Sequence, residues 1–273
     1  MSENIIEFKQ VTKYFSDKAA VCGLDLPIRR GELFVLVGAS GSGKSTTLKM
    51  INALVAPDEG DVYFDGRRIK DYDIRALRHR IGYVLQQIAL FPAMTVRQNI
   101  ELMPDILGWR KSERRSRAES LLEMVGLPPA EYLGRYPHEL SGGEQQRVGI
   151  LRAIAARPAV LLMDEAFSAL DPLSRTALQD ILLDIHRQNE TTIVFVTHNM
   201  HEALRLGDRI GVMRNGALVQ NGRPSEIQNR PADDFVRAMF EQEQATPEQV
   251  LAAFERLNPQ AREVVRRRIN QAV

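Results

Sequence analysis

Short runs of β-branched and other apolar residues alternate with longer amphipathic stretches along the chain. The runs at 34–37, 160–163 and 193–196 are continuously apolar, as expected for strands that are covered on both faces. Helical stretches between such strands are typical of a parallel sheet with helices packed on it. The pattern therefore predicts an α/β fold with a parallel sheet at its centre.

The segment 209–220 has a different pattern, with two short apolar runs on either side of Asn215-Gly216. Both residues tolerate the positive φ angles of a tight hairpin turn. Together with the runs at 5–8 and 62–64, this hairpin predicts a small antiparallel sheet beside the parallel core.

Strand patterns are absent between about residues 94 and 157, where the sequence predicts a helical subdomain inserted into the core. Thr95 and Gln98 have the spacing of a capping box that begins a helix. The strongly basic stretch 110–117 is either a solvated helix face or a binding patch. Further on, Asp171-Pro172 begins another amphipathic helix, with proline at its first position.

The predicted core ends near Pro224 and Pro231, which interrupt the regular pattern. After it, 247–257 and 259–269 predict two short helices that must pack on the core or on a second subunit to be stable. We therefore expect one large domain at 1–231 and a short C-terminal helical extension at 232–273.

The composition of the chain narrows its possible functions. The 273 residues include 36 basic and 35 acidic side chains, and the net charge of +1 gives no indication of general binding to nucleic acids or membrane surfaces. The lone Cys22 forms no internal disulfide, and no apolar run reaches the roughly 18 residues needed to span a bilayer. We therefore expect no nucleic-acid partner, and any membrane role must come through another protein.

The strand at 34–37 leads directly into Gly38-Ala39-Ser40-Gly41-Ser42-Gly43-Lys44-Ser45-Thr46, which matches the phosphate-loop pattern G-x-x-x-x-G-K-[ST]. Glycines let such a loop curl so that its N–H groups, and the N-terminus of the following helix, face a phosphate chain. Lys44 supplies a positive charge for the β- and γ-phosphates, and the Ser45 hydroxyl is a candidate ligand for Mg²⁺. The segment predicts a nucleotide site rather than a plain glycine-rich turn.

Two acidic residues follow the apolar run at 160–163. Because nucleotide hydrolases need a carboxylate for the metal and usually another group to activate water, Asp164 is the candidate Mg²⁺ ligand and Glu165 the candidate base. His198 follows the run at 193–196, at the sheet edge where ligands of α/β folds bind, and we predict that it contacts the γ-phosphate. The alternatives are a plain polar strand end for the two acids and a structural role for the histidine.

A second motif, Leu140-Ser141-Gly142-Gly143-Glu144-Gln145-Gln146-Arg147, contains the start of another predicted helix. Ser141 and Glu144 have capping-box spacing, and the two glycines leave the first N–H groups of the helix exposed. A plain helix cap accounts for the serine and the glutamate but not for the adjacent glycines. We therefore predict a second anion site at this helix N-terminus.

These motifs together resemble those of an ATP-binding cassette (ABC) ATPase, over about residues 3–230. The resemblance implies that the phosphate loop of one subunit faces the signature residues of another in a head-to-tail dimer, either a homodimer or a pair of related ATPase subunits. Two ATP molecules, with Mg²⁺, are then held between the subunits. The signature residues are Ser141, Gly142, Gly143 and Glu144.

The resemblance also implies roles for single residues. Gln86 matches the Q-loop glutamine that contacts Mg²⁺ and water, which gives Glu165, His198 and Gln86 as catalytic residues. The implied Mg²⁺ ligands are Ser45, Gln86 and Asp164. Ser168 and Asp171 match the D-loop.

Adenine recognition rests on an aromatic residue near the N-terminus. Phe15 matches the residue that stacks on adenine in the family, Tyr14 is the neighbouring candidate, and core packing is the alternative for either ring. Ala166 and Asn199 stand where the family usually has proline and importers usually have aspartate. Neither departure replaces a group assigned to the nucleotide or the metal.

The resemblance implies that ATP closes the dimer, that hydrolysis opens it, and that a separate transmembrane permease receives the motion. In the family a permease helix docks near the Q-loop, where the stretch 87–94 is apolar and Leu90 and Phe91 are either exposed anchors or local core. The implied location is peripheral, on the cytoplasmic face of the inner or plasma membrane.

Three stretches resemble importers of quaternary-amine osmoprotectants, namely TTLKMIN at 46–52, IGYVLQQIALFP at 81–92 and RYPHEL at 135–140. The resemblance implies import of glycine betaine, carnitine or choline, with an extracytoplasmic solute-binding protein as an indirect partner. A non-transport ABC ATPase is one alternative, disfavoured because sustained heptads are missing. A nucleotide-switched binding module is the other, disfavoured by Asp164, Glu165 and His198 together.

Overall fold

The computed structural model of the chain describes residues 3–87, 89–168, 170–189 and 191–241. Within these residues the strands are, in chain order, β1 Asn4–Phe15, β2 Lys18–Arg29, β3 Leu33–Val37, β4 Glu59–Phe64, β5 Arg67–Arg68, β6 Ile81–Val84, β7 Val160–Asp164, β8 Thr192–Thr197, β9 Arg209–Arg214 and β10 Ala217–Gly222. The helices are α1 Lys44–Ile51, α2 Ile74–His79, α3 Val96–Ile106, α4 Lys111–Met124, α5 Pro129–Tyr132, α6 Gly142–Ile154, α7 Pro172–Asn189, α8 Met200–Leu206, α9 Pro224–Asn229 and α10 Asp234–Glu241. Short 3₁₀ helices lie at Ile69–Asp71 and Pro137–Glu139.

A six-stranded sheet forms the centre of the fold, with the strand order β10-β9-β3-β8-β7-β6. Strands β9, β3, β8, β7 and β6 run parallel, and β10 is antiparallel to β9. Every residue of β3, β7 and β8 is buried. The three continuously apolar runs are therefore confirmed as central strands with both faces covered.

Side chains of β3 alternate between two hydrophobic cores, one on each face of the sheet. Leu33, Val35 and Val37 pack in the core shared with the inserted helices. Phe34 and Leu36 pack in the core beneath α1 and the antiparallel sheet. Because β3 belongs to both cores, its C-terminal end is held from two sides, and that end leads into the phosphate loop.

The antiparallel sheet has the strand order β2-β1-β4-β5 and contains the runs predicted at 5–8 and 62–64. The hairpin of β9 and β10 is confirmed, with Asn215 at φ 50° and Gly216 at φ 83° in its turn. Its predicted membership of the antiparallel sheet is wrong, since β9 pairs in parallel with β3. A hairpin pattern fixes the pairing of its own two strands, whereas the sheet they join is decided by a partner distant in sequence.

Helices α3 to α6 occupy the segment between residues 94 and 157. Both halves of the capping box at the start of α3 form. The Gln98 backbone N–H donates to the Thr95 hydroxyl at 3.3 Å, and the Thr95 backbone N–H donates to the Gln98 side chain at 2.8 Å. The chain therefore enters this helical segment at the residue that the sequence predicts.

Part of the basic stretch at 110–117 is paired within the chain. Arg115 forms an ion pair with Glu119 at 2.9 Å along α4. Arg117 donates to the backbone carbonyl of Ala155 at 3.3 Å and so holds α4 against the end of α6. These contacts favour the interpretation of a solvated helix face for Arg115 and a packing role for Arg117.

Helices α9 and α10 follow the central sheet. Val236 of α10 is fully buried, and the guanidinium of Arg214 on β9 lies 4.8 Å from the ring centroid of Phe235. The predicted helices at 247–257 and 259–269 lie outside the described residues, and the boundary at 231/232 stays a prediction. In the part of the chain that the structure describes, no helix combines the length and the apolar character needed to cross a membrane.

Glu32, between β2 and β3, fixes β9 beside β3. Its carboxylate accepts hydrogen bonds from Arg209 Nε at 2.6 Å, from Arg209 Nη2 at 3.0 Å and from the Arg29 backbone N–H at 2.8 Å. Only 8% of the Glu32 side chain and 16% of the Arg209 side chain are exposed. Two-point pairing of a guanidinium with a carboxylate sets both the distance and the orientation of the strands that carry them.

Glu32→Ala is expected to lower the free energy of unfolding by about 3 kcal/mol, because Arg209 then keeps a mostly buried charge without its partner. The matched control is Asp184→Ala, which removes an exposed ion pair with Arg187 at 3.6 Å and should change that free energy by less than about 0.5 kcal/mol. Urea denaturation measures both values, and equal losses would contradict the prediction.

Candidate active site

The loop at 38–43 follows β3 and turns sharply into α1. Gly43 has a φ of 103°, and a Cβ atom there would lie 2.3 Å from the carbonyl oxygen of Ala20. A Cβ atom at Gly38 would lie 2.2 Å from the carbonyl oxygen of Met213. Glycine is required at both positions, because the loop passes directly against the backbones of β2 and β9.

This loop forms one wall of a cleft of about 360 Å³. A glycine-rich loop at a helix N-terminus favours a negatively charged ligand, because unpaired N–H groups and the helix dipole both attract it. The residues that line the cleft are Ala20, Ser40, Gly41, Ser42, Gly43, Lys44, Ser45, Thr46, Gln86 and Glu165. The structure thus brings the predicted phosphate-loop residues together with two of the predicted catalytic residues.

The ammonium group of Lys44 is a buried positive charge beside this cleft. It donates to the carbonyl oxygens of Gly38 and Ala39, at 2.7 and 2.9 Å. Burial lowers the pKa of Lys44 from its ordinary value, while the carboxylates of Glu165 and Asp164 act in the opposite direction. The two acids therefore favour the charged form of the lysine at the place where a phosphate would bind.

The Ser45 hydroxyl donates to Asp164 Oδ1 at 2.8 Å, which joins the start of α1 to the end of β7. Burial raises the pKa of Asp164 above its ordinary value, the hydrogen bond from Ser45 works against this rise, and the neighbouring Glu165 adds to it. A carboxylate whose charged form is disfavoured in this way is stabilised by a nearby cation.

Glu165 Oε2 is the point where the predicted catalytic side chains meet. His198 Nδ1 lies 3.3 Å from this oxygen, and Gln86 Nε2 donates to it at 3.4 Å. Glu165 has a φ of 45°, an uncommon angle for a residue with a side chain. Its backbone is held there because its N–H donates to the Val196 carbonyl and its carbonyl accepts from the Ser168 hydroxyl, both at 2.9 Å. Strained backbone of this kind clusters at functional sites.

Two of the predicted site segments lie at the starts of helices. Asp171 Oδ1 accepts the Ser174 backbone N–H at 3.0 Å at the start of α7. At the start of α6, the Glu144 carboxylate accepts the Ser141 backbone N–H at 2.7 Å and the Tyr132 hydroxyl at 2.5 Å. The hydrogen bond from Tyr132 is the main reason that the pKa of Glu144 lies below its ordinary value. Glu144 is therefore a charged residue that fixes the helix start.

The N-terminus of α6 lies on the surface, and Ser141 and Gly142 are exposed. Apart from its neighbours and its own helix, no described atom lies within 4 Å of the place that a Cβ at Gly142 would take. At Gly143 the nearest such atom is Ser174 Oγ at 3.5 Å, an ordinary contact. Within the described ranges, the lining of the cleft includes none of residues 141–144. The described part of the chain thus contains nothing that requires glycine at these two positions.

The side chains of Tyr14 and Phe15 are 42% and 53% exposed, so the alternative of core packing is wrong for both rings. Lys13 places its ammonium group 5.6 Å from the ring centroid of Phe15. Leu90 is 9% exposed and belongs to the core, whereas Phe91 is 47% exposed. The alternative of local core is therefore right for Leu90, while Phe91 is exposed and its role as an anchor stays a prediction.

The sequence motifs assign no role to three polar residues near the site. Gln146 Nε2 on α6 donates to the carbonyl oxygen of Ala166 at 2.6 Å. Arg175 and Glu202 line a small cavity beside the catalytic side chains. The one sequence signal for them is the spacing of Asn199 and Glu202, which is that of a helix cap, and the Glu202 backbone N–H does donate to Asn199 Oδ1 at 2.7 Å.

The family described as ABC transporter matches residues 21–168, which is more than half of the 273 residues. The chain belongs to the ABC transporter family. It is 50% identical over 240 residues to the glycine betaine/carnitine/choline transport ATP-binding protein OpuCA of Bacillus subtilis (strain 168), covering 88% of this chain and 63% of that protein. It is also 49% identical over 236 residues to the glycine betaine uptake system ATP-binding protein YehX of Escherichia coli (strain K12), covering 86% of this chain and 76% of that protein.

A solved ABC structure has the same fold. The ATP-binding cassette MJ0796, in a dimeric post-hydrolysis state bound to ADP and Pi, matches with a TM-score of 0.72 and 34% identity, covering 80% of this chain and 98% of that chain. The predicted fold class and the predicted resemblance to ABC ATPases of osmoprotectant importers are thereby confirmed. The chain spans less than two thirds of the length of OpuCA.

In this ABC cassette, Lys44→Ala is expected to weaken ATP binding by about tenfold or more, because a hydrogen bond to a charged group contributes roughly 1.5–3 kcal/mol. Isothermal titration calorimetry measures the affinity. Lys70→Ala is the matched control. Lys70 forms an ion pair with Asp61, and neither residue is among those that line the cleft. An unchanged affinity in the Lys44 variant would refute the role of this residue in binding phosphate.

Proposed function

We propose that this chain is the ATP-hydrolysing subunit of an ABC importer for quaternary-amine osmoprotectants. The observation that carries the proposal is the convergence of His198 Nδ1 and Gln86 Nε2 on Glu165 Oε2, beside the cleft that the phosphate loop forms. In this arrangement the Glu165 carboxylate orients a water molecule and takes up its proton as the water oxygen bonds to the γ-phosphorus and the bond to ADP breaks. The His198 side chain is 56% exposed, so it is accessible to the γ-phosphate.

Ser45 and Asp164 fit a Mg²⁺ ion. They supply the oxygen ligands that Mg²⁺ prefers, and because burial raises the pKa of the Asp164 carboxyl, a cation there would favour its charged form. Across 3–87, 89–168, 170–189 and 191–241, no group of three His, Cys, Asp or Glu could hold a metal alone. An ion shared between Ser45, Asp164, Gln86 and the phosphates agrees with that donor set, and it would neutralise negative charge on the phosphates.

The signature residues act on the ATP of a second subunit. Ser141 and Gly142 present the N-terminus of α6 at the surface, and the space around Gly142 supports close approach by another molecule. The dimeric state of MJ0796 bound to ADP and Pi supports a two-subunit arrangement. Each γ-phosphate then bridges two subunits, so ATP favours the closed dimer and hydrolysis releases it.

Glu165→Gln is expected to abolish steady-state ATP hydrolysis while the ATP-bound dimer still forms, because the amide keeps the shape of the side chain but cannot accept the proton. Phosphate release and analytical ultracentrifugation in ATP and Mg²⁺ measure the two properties. Rapid turnover by this variant would refute the assignment of the base.

A second change tests the signature residues in the same variant. Adding Gly142→Asp should prevent the ATP-dependent dimer, since the new side chain has room in the monomer but occupies the proposed contact surface. Persistence of the dimer in the double variant would contradict the two-subunit site. Its melting temperature, which should match that of Glu165→Gln alone, controls for loss of folding.

The proposed permease contact is the surface of the stretch 87–94 near the Q-loop, between the core and the inserted helices. Phe91 is 47% exposed, and the guanidinium of Arg152 on α6 lies 5.6 Å from its ring centroid. A permease helix bound at this surface would place the chain at the cytoplasmic face of the membrane. Movements of the segment that contains Gln86 would then be transmitted to the permease.

The proposed substrates follow from the relatives. OpuCA is named for transport of glycine betaine, carnitine and choline, and YehX for uptake of glycine betaine. In an importer of this type the permease and an extracytoplasmic solute-binding protein select the substrate. This chain supplies the free energy of ATP hydrolysis and does not select the solute. An identity of about one half over most of this chain supports the same substrate class.

Vesicles that contain the chain and its co-purifying permease are expected to take up labelled glycine betaine, carnitine or choline when ATP is supplied on the cytoplasmic side. The control is the same preparation with Glu165→Gln, which should retain the subunits but show no uptake. ATP hydrolysis without uptake of any of the three solutes would overturn the substrate proposal while leaving the ATPase proposal in place.

A further inference from the structure

The loop that carries His198 is closed by hydrogen bonds among the residues around it. The Asn199 backbone N–H donates to the Thr197 hydroxyl at 3.0 Å, and this hydroxyl donates to Glu202 Oε2 at 2.6 Å. The Glu202 backbone N–H donates a hydrogen bond to Asn199 Oδ1 at 2.7 Å. The carboxylate of Glu202 therefore holds the residue before His198, and its backbone holds the residue after it.

The other carboxylate oxygen of Glu202 faces α7. Gln179 Nε2 donates to Glu202 Oε1 at 3.4 Å, and Arg175 Nε lies 3.7 Å from the same oxygen. Arg175 Nη2 donates to the Leu170 carbonyl at 3.1 Å, immediately before Asp171. One carboxylate thus lies between the loop that carries His198 and the segment that contains the D-loop residues.

Burial of the Glu202 carboxylate is unfavourable for stability, so its contact with Arg175 calls for an explanation other than packing. Glu202 is 7% exposed, and Arg175 Nε is buried without a hydrogen-bond partner among the described residues. The Arg175 side chain is 32% exposed and its Nε lies 3.7 Å from Glu202 Oε1, so the pair contributes little to stability. Its position beside a cavity of about 40 Å³ that Glu165, Ser168 and His198 also line points to the reaction.

We propose that Glu202 is a positioning residue for ATP hydrolysis, whose buried carboxylate holds the His198 loop to the D-loop end of α7. It does not touch the reacting atoms; it sets where His198 lies relative to Glu165. This inference rests on the proposed ATPase activity. The inference also extends the proposed activity. A displacement of the D-loop by a second subunit would change the position of His198 through Arg175 and Glu202.

The test is a double-mutant cycle between Glu202→Gln and His198→Ala, with steady-state ATP hydrolysis by the full chain as the readout. Glu202→Gln alone should lower kcat about tenfold and change KM for ATP less than about twofold, since phosphate-loop contacts are untouched. In the His198→Ala background, the same change should lower kcat less than about twofold further, because the side chain it positions is gone.

Asp180→Asn is the matched control. It breaks an exposed contact between α7 and α8, the pair of Asp180 with Arg205 at 2.8 Å, without touching Glu202, and it should leave kcat unchanged. Thr197→Val removes the hydroxyl link directly and should reproduce the loss of kcat, so the inference stays testable if Glu202→Gln fails to fold.

Two results would overturn the inference. Multiplicative losses in the double variant mean that Glu202 does not act through His198, and an unchanged kcat in Glu202→Gln means that it does not position anything that limits the rate. An inactive wild-type chain would contradict the proposed ATPase activity itself, and it is distinguished from both results by the wild-type measurement.

Discussion

Burying charged groups at the carboxyl edge of a parallel sheet is unfavourable unless each charge finds a partner, and this constraint shapes the whole site. Lys44, Asp164 and Glu165 lie close enough that the two acids stabilise the charged lysine despite its burial. Burial nevertheless raises the pKa of Asp164 above its ordinary value, so a positive charge at the end of β7 would favour its charged form. An anion at the phosphate loop and a cation beside Asp164 would each meet a group of opposite charge in this cluster.

The same edge is fixed by backbone contacts from both sheets. Ala20 of the antiparallel sheet and Met213 of the hairpin present carbonyl oxygens to the positions of Gly43 and Gly38, at distances that exclude any side chain there. The phosphate loop is therefore packed between two elements that belong to different sheets. The Glu32–Arg209 pair, by holding β9 beside β3, keeps one of these elements in place. Local glycine chemistry and long-range packing thus set the shape of the loop together.

Much of this arrangement could be predicted from sequence because it is local. The phosphate loop, the capping box of Ser141 and Glu144 and the central strands each depend on residues close in the chain, and burial on both faces makes β3, β7 and β8 visible as apolar runs. The sheet that the hairpin joins was not predictable, since β9 is placed by a strand about 175 residues away in sequence. The separation of Leu90 into the core and Phe91 onto the surface depends on tertiary packing, since Leu90 belongs to the same core as residues of the inserted helices.

The inserted helices and the segment that leads into them both contact the stretch that carries Glu165. Gln86, in the segment that leads to α3, donates to the Glu165 carboxylate at 3.4 Å. Gln146, one turn inside α6, donates to the carbonyl oxygen of Ala166 at 2.6 Å. This bond uses a backbone carbonyl, so it is equally available with proline at position 166, and the alanine does not weaken it. The Glu165 segment is therefore tied to α6 through Gln146 and to the chain leading into the insertion through Gln86, so its surroundings depend on how the insertion packs on the sheet.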